Sequence, residues 1–174
     1  MTGPHLLGDE RVHAARPGTQ RMDADRLWSL PRVGAPVPAP DGRHVAVAVT
    51  TYDAETDVGA PRIWLLPTGG GIGRPLTSET RDASAPRFSP DGRRLAFLAR
   101  PRSAKGETPE PRQLFGLSLE GGEADALTDF PLGVFDPQWL PDGSGLVFGT
   151  YLYADHLEKA ELQLTRDPRP LPAM

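Results

Sequence analysis

Three stretches of this chain align without a gap: PVPAPDGRHVAVAV (36–49), PRFSPDGRRLAFLA (86–99) and PQWLPDGSGLVFGT (137–150). Asp41 and Asp91 are 50 residues apart, and Asp91 and Asp142 are 51. A second element keeps the same frame. IWLLPTGGGIGRPLT (63–77) matches LFGLSLEGGEADALT (114–128), so Thr77 and Thr128 are again 51 apart. Two independent features with one period define a structural repeat.

Each unit reads as four strands. In the middle unit Pro86–Ser89 is a short first strand, and Pro90-Asp91-Gly92 turns the chain. Proline presets φ there and glycine takes the positive-φ position. Arg93–Ala99 is the second strand, followed by a polar loop. Gln113–Leu119 is the third strand, Glu120-Gly121-Gly122-Glu123 a hairpin turn, and Ala124–Thr128 a short fourth strand. HVAVAV and RRLAFLA are apolar without alternation, which implies cover on both sheet faces. Repeated four-stranded antiparallel sheets, each between two neighbours, are the blades of a β-propeller. A β-sandwich would keep no such register. The 19 glycines and 20 prolines, more than a fifth of 174 residues, fit so turn-rich a fold.

The expected architecture is therefore all-β, an incomplete β-propeller of about two and a half blades. Blade one is 36–77, blade two 86–128 and a half-blade 137–151, within a propeller region 36–151. A closed ring takes about 4–8 blades. Residues 1–21 read as a disordered tail. Residues 22–35 read as a lead-in with a short helix, Ala24–Leu30, capped by Asp23 and stopped by Pro31. Leu27, Trp28 and Leu30 are expected to cover one side of blade one. In 152–174 a helix can start at Asp155, with Glu158 completing a capping box and Leu157, Ala160 and Leu164 on one face, before a proline-rich end. The Pro-Asp-Gly and Gly-Gly turns should share one rim, with loops 51–62 and 100–112 on the other.

Candidate sites are few. A hydrolase nucleophile needs G-x-S-x-G on a strand-to-helix turn. Asp142-Gly143-Ser144-Gly145 lacks the first glycine and leads into a strand; none of the seven serines does better. His5, His13, His44 and His156 are scattered and form no triad spacing. Asp41, Asp91 and Asp142 sit one per unit, where an aspartate caps its own turn, not clustered as cation ligands. Gly69–Gly73 precedes a strand instead of the helix a phosphate loop needs. Arg93, Arg94, Arg100, Arg102 and Lys105 are a solvated basic stretch with no interleaved aromatics, beside Glu107 and Glu110. Trp139 and Phe88 occupy equivalent positions and read as core. No catalytic, cofactor-binding or metal residue is assigned, and no cofactor is expected. A net charge of −4 argues against nucleic acid as a partner. There is no cysteine to form disulfides. No stretch approaches the ~18 apolar residues of a membrane span, and the N-terminal residues lack a signal-peptide core. A cytoplasmic protein without a membrane partner is expected.

The Pro-x-Phe-Ser-Pro-Asp-Gly element with its apolar run resembles the propeller repeat of TolB-like proteins and of the prolyl oligopeptidase family of serine peptidases. The lead-in MDADRLWSLPRVGAPVPAPDGRHVAVAVT (22–50), with GGEADALTDFPLGVFDPQWLPDGSGLVF and TYLYADHLEKAE, resembles the acylaminoacyl-peptidase and dipeptidyl-peptidase branch of that family. The resemblance covers about 22 to 166. It implies a propeller that restricts peptide entry to an α/β-hydrolase domain carrying a Ser-Asp-His triad. No position here matches that triad. The implied partners are the remaining blades and the hydrolase domain, or a second copy meeting the open blade faces. The other function consistent with these residues is a stand-alone TolB-like binding module.

Overall fold

The computed structural model describes residues 23–53, 58–104 and 106–153. The expected tail, the helix at Asp155 and its capping box, His5, His13, His156 and Lys105 lie outside the described residues.

The Asp23 carboxylate accepts a hydrogen bond from the Arg26 N–H at 2.8 Å, filling one of the donors that a helix start leaves open. The helix α1 (Ala24–Ser29) stops short of Pro31. It is too short to bury a face. Leu27, Trp28 and Leu30 stay 46–60% exposed instead of covering blade one. Trp28 meets it edge-on at Tyr52, with ring centroids 6.3 Å apart.

Three antiparallel sheets follow. In the first, β1 (Arg32–Val33) and β2 (Val37–Pro38) both line one edge of β3 (His44–Asp53). β3 pairs with β4 (Val58–Pro67), and β4 with β5 (Arg74–Pro75). The second runs in chain order through β6 (Arg81–Phe88), β7 (Arg94–Pro101), β8 (Gln113–Ser118) and β9 (Asp125–Ala126). The third pairs β10 (Val134–Trp139) with β11 (Leu146–Thr150). Strands that neighbour each other in the order of the chain are what a blade requires.

The inner strands differ from the expected short ones. β6 starts at Arg81, five residues earlier than its proline suggested, because a bulge between Ser84 and Arg87 carries the pairing past Pro86. Ala85 takes φ +50 there, and Asp136 takes φ +48 at the same repeat position in β10, where pairing shifts between Phe135 and Gln138. In blade one the break between β1 and β2 falls at the equivalent place, so the lead-in at Arg32–Val33 pairs with Thr50 and Val49. An extra residue breaks the period of two, and this is what hides such a strand in a sequence. The expected loop 51–62 is mostly strand as well. β3 and β4 remain in register from His44 opposite Pro67 to Asp53 opposite Val58, since Thr50, Thr51 and Tyr52 suit a pleated strand.

The core lies between the sheets. Ala46 and Ile63 of blade one meet Ala83, Leu95, Phe97, Ala99, Phe115 and Leu117 of blade two. On the opposite face of blade two, Ala96, Leu98 and Leu114 meet Val134 of the half-blade, with Phe130, Trp139, Leu146 and Phe148 packed around them. Leu95 to Ala99 are all buried, so β7 has the double-sided cover that its unbroken apolar run demands. Phe97 stacks on Phe115 at 5.9 Å between centroids. Truncating Phe97 to alanine should cost about 3–5 kcal/mol, the usual range for a buried aromatic. Urea titration of Phe97→Ala checks this, and an unchanged midpoint would contradict the packing.

Candidate functional site

The three Pro-Asp-Gly corners have one construction. Asp41, Asp91 and Asp142 each accept a hydrogen bond from the backbone N–H two residues on, at 2.9, 3.0 and 3.0 Å. Gly42, Gly92 and Gly143 lie at φ +67, +71 and +71. Each donates its N–H to the carbonyl three residues back at 2.9 Å, closing a β-turn. The carboxylates are thus engaged within their own turns. Among the described residues no group of three or more His, Asp or Glu is placed to hold a metal ion.

The corners also stack across blades. The Pro40 ring sits 3.5 Å from where a Cβ on Gly92 would be, and Pro90 stands 3.6 Å from the same point on Gly143. Gly-Gly turns lie on the same rim: the Thr68 N–H donates to the Arg43 carbonyl and the Leu119 N–H to the Arg93 carbonyl, both at 2.9 Å. The recurring threonines close the outer strands. The Ile63 N–H donates to Thr77 Oγ1 at 3.0 Å, and the Leu114 N–H to Thr128 Oγ1 at 2.9 Å. A strand that would otherwise leave a buried donor unmet is satisfied by one hydroxyl.

The remaining sequence candidates are placed as follows. Ser144 donates its hydroxyl to Asp142 at 2.6 Å within the turn. His44 opens β3 opposite Pro67. Gly69–Gly73 joins β4 to β5, with Gly70 and Gly71 at positive φ. Arg94 lies over the Trp139 ring at 5.0 Å and donates to the Gly143 carbonyl at 3.2 Å. The Trp139 indole N–H donates to the Arg87 carbonyl at 3.0 Å, so Trp139 ties the half-blade to blade two. Phe88 packs on the core of the other face.

Sequence reading missed one cluster. Asp82, 6% exposed, faces Arg100 at 3.6 Å and Arg102 at 3.4 Å. Burial, and then the charge of Arg100, weakens proton binding by the nearby Arg112. Asp82 and Arg100 are cross-strand partners, a relation that the repeat frame does not reveal because Asp82 lies ahead of the Pro86 strand start it predicts. Beside the cluster a cavity of about 510 Å³ is lined by Arg81, Arg100, Gln113, Phe115, Thr128 and Phe130, among others. It also takes in Glu110 and Asp129, so its charges are mixed. Nothing in it pairs a nucleophile with a base.

No family model matches the chain. Over 126 residues it is 38% identical to the uncharacterized peptidase YuxL of Bacillus subtilis, across 72% of this chain and 18% of that protein. The acylaminoacyl peptidase of Pyrococcus horikoshii superimposes with a TM-score of 0.55 at 20% identity, over 70% of this chain and 17% of that one. The β-propeller domain of the Trilobed protease from Pyrococcus furiosus, described as having an open velcro topology, gives a TM-score of 0.51 at 19% identity, over 68% and 34%. The fold is thus an incomplete β-propeller, and the chain spans less than a fifth of the peptidase it matches in sequence. Among the described residues no helix is long and apolar enough to cross a membrane.

The corners carry a pH signature. The Ser89 hydroxyl, then the Arg93 N–H, hold the Asp91 carboxyl below its ordinary 3.8; the Ser144 hydroxyl and N–H do the same for Asp142. The folded chain then binds these protons more weakly than the unfolded chain. Stability from them is whole above the unfolded pKa and is lost as pH falls through the folded one. Asp91→Asn should therefore lower stability at pH 7, where the carboxylate's contribution is whole, and flatten the further loss below about pH 4. Urea midpoints across that range decide it, and identical acid slopes would refute the assignment.

Proposed function

We propose that these blades are the N-terminal part of the propeller of a cytoplasmic serine peptidase of the prolyl oligopeptidase family. In this reading they help to restrict peptide access to an α/β-hydrolase domain that the 174 residues do not contain. The observation that carries it is the 38% identity to a peptidase over 126 residues, 72% of this chain. The absence of G-x-S-x-G from the sequence fits a part that shapes access and leaves the chemistry to another domain. A propeller serves this purpose because its blades surround a channel, whose width admits a flexible short peptide and stops a folded protein.

The coding sequence that follows the Met174 codon tests the reading. It should encode further Pro-Asp-Gly blades and then a G-x-S-x-G segment, in the same frame or the adjacent one. An unrelated sequence there overturns it. The purified 174-residue chain should give no turnover of acyl-aminoacyl or dipeptidyl p-nitroanilides above the buffer rate. Turnover that persists through purification would mean that these residues supply a nucleophile of their own.

A further inference from the structure

The cavity at the rim of blade two keeps its opposite charges on different strands. Ala99, Gln113, Phe115 and Ala126 form its floor, cross-strand neighbours on one face of the sheet. Arg81, the first residue of the inner strand β6, lines it and lies over the Phe115 ring at 4.8 Å. Glu110, ahead of β8, and Asp129, beyond β9, line it from the outer strands. Gln113 fixes this outer wall. Its Oε1 accepts from Thr128 Oγ1 at 2.9 Å and from the Phe130 N–H at 3.0 Å, and its Nε2 donates to the Phe130 carbonyl at 2.7 Å. Asp129 stands between those two anchored residues.

These three charges have no partner within the fold. Among the described residues the side chains of Arg81, Glu110 and Asp129 make no ion pair and no hydrogen bond, whereas the neighbouring Arg100 and Arg102 are both held by Asp82. A guanidinium is left with donors to give, and two carboxylates with lone pairs to fill. A ligand charged positively at one end and negatively at the other meets both needs. Strands lie about 4.8 Å apart, so β6 is about 10 Å from β8 and about 14 Å from β9. An extended peptide advances about 3.3–3.6 Å per residue, so three or four residues bridge that span. The cavity volume of about 510 Å³ falls within the about 300–1,000 Å³ usual for small-ligand sites.

We propose that this cavity binds a free peptide of three or four residues in its zwitterionic form. The peptide's α-carboxylate meets the Arg81 guanidinium, and its α-ammonium meets Glu110 and Asp129. An apolar side chain rests on the floor made by Phe115 and Ala126. Recognition of both free ends excludes internal segments of longer chains. The choice of a peptide over other zwitterions rests on the reading of the chain as part of a peptidase, for which such peptides are substrate or product.

The test titrates the whole 174-residue chain with the tripeptide Ala-Phe-Ala and follows its amide NMR shifts. Saturable shifts should centre on Ala99, Gln113, Phe115 and Ala126. Acetylating the peptide's N-terminus or amidating its C-terminus should each weaken binding at least fivefold, and free phenylalanine should bind more weakly by a similar factor. Arg81→Gln should weaken the free tripeptide about tenfold, as loss of one charge-assisted contact does, without weakening the amidated one further. Asp129→Asn should weaken the free tripeptide while leaving the acetylated one unchanged. Both side chains are exposed, so the urea midpoints of these variants should match the parent. Equal binding of capped and free peptides overturns the proposal, as do shifts confined to another face of the molecule. Absence of saturable shifts at tens of millimolar peptide overturns it too. None of these results bears on the sequence downstream of Met174, so the site and the peptidase reading can fail separately.

Discussion

Burial of blade two on both of its faces is the constraint from which the rest of this structure follows. β7 lies between two strands of its own sheet and between two neighbouring sheets, and Leu95 to Ala99 lose almost all contact with water. Five consecutive apolar residues are tolerable in a soluble strand only under that condition. Blade one supplies the cover on one side and the half-blade on the other. Among the described residues each of those has a neighbouring blade on one side, and β3 and β11 are more exposed than β7 despite their related sequences. The outward sides hold Val33, Leu66, Phe135, Val147 and Tyr151, all exposed.

The polar residues of the repeat keep the sheets in register for stacking. An aspartate and a glycine fix each corner, a proline ring from one corner rests on the glycine of the next, and a threonine satisfies the third strand. Each device is local or reaches one blade further. The units can therefore be added in series, with stability built from blades and blade contacts. The Asp82–Arg100–Arg102 cluster belongs to blade two alone. At the matching rim of blade one the ion pair is Arg62 with Glu79, so the repeat leaves the residues of this rim free to differ.

Much of this was legible in the sequence where the signal is short-range. The corner residues, the period and the unbroken run RRLAFLA each have one physical explanation, and the corners and strands formed where they indicated. The inner strands were harder to read. Ala85 and Asp136 take positive φ within bulges; alanine has no preference for that conformation, and the following proline biases both residues toward extended backbone. The full length of β3 and β4 was also missed, because polar strand residues such as Thr51 and Asp53 look like a loop when nothing covers them. The acid–arginine cluster depended on pairing across β6 and β7, and it could not be seen before that register was known. The exposure of Leu27 and Trp28 reflects a helix of six residues, too short for its apolar side chains to reach the sheet together.

The two outer blades of the described stack thus differ from the middle one in how much of their apolar surface is covered. Native-state hydrogen exchange measures most directly whether double-sided burial governs the fold. The amides of Leu95 to Ala99 should exchange slowest, only through global unfolding, and those of Leu146 to Thr150 faster by orders of magnitude. Equal protection of the two strands would contradict the account.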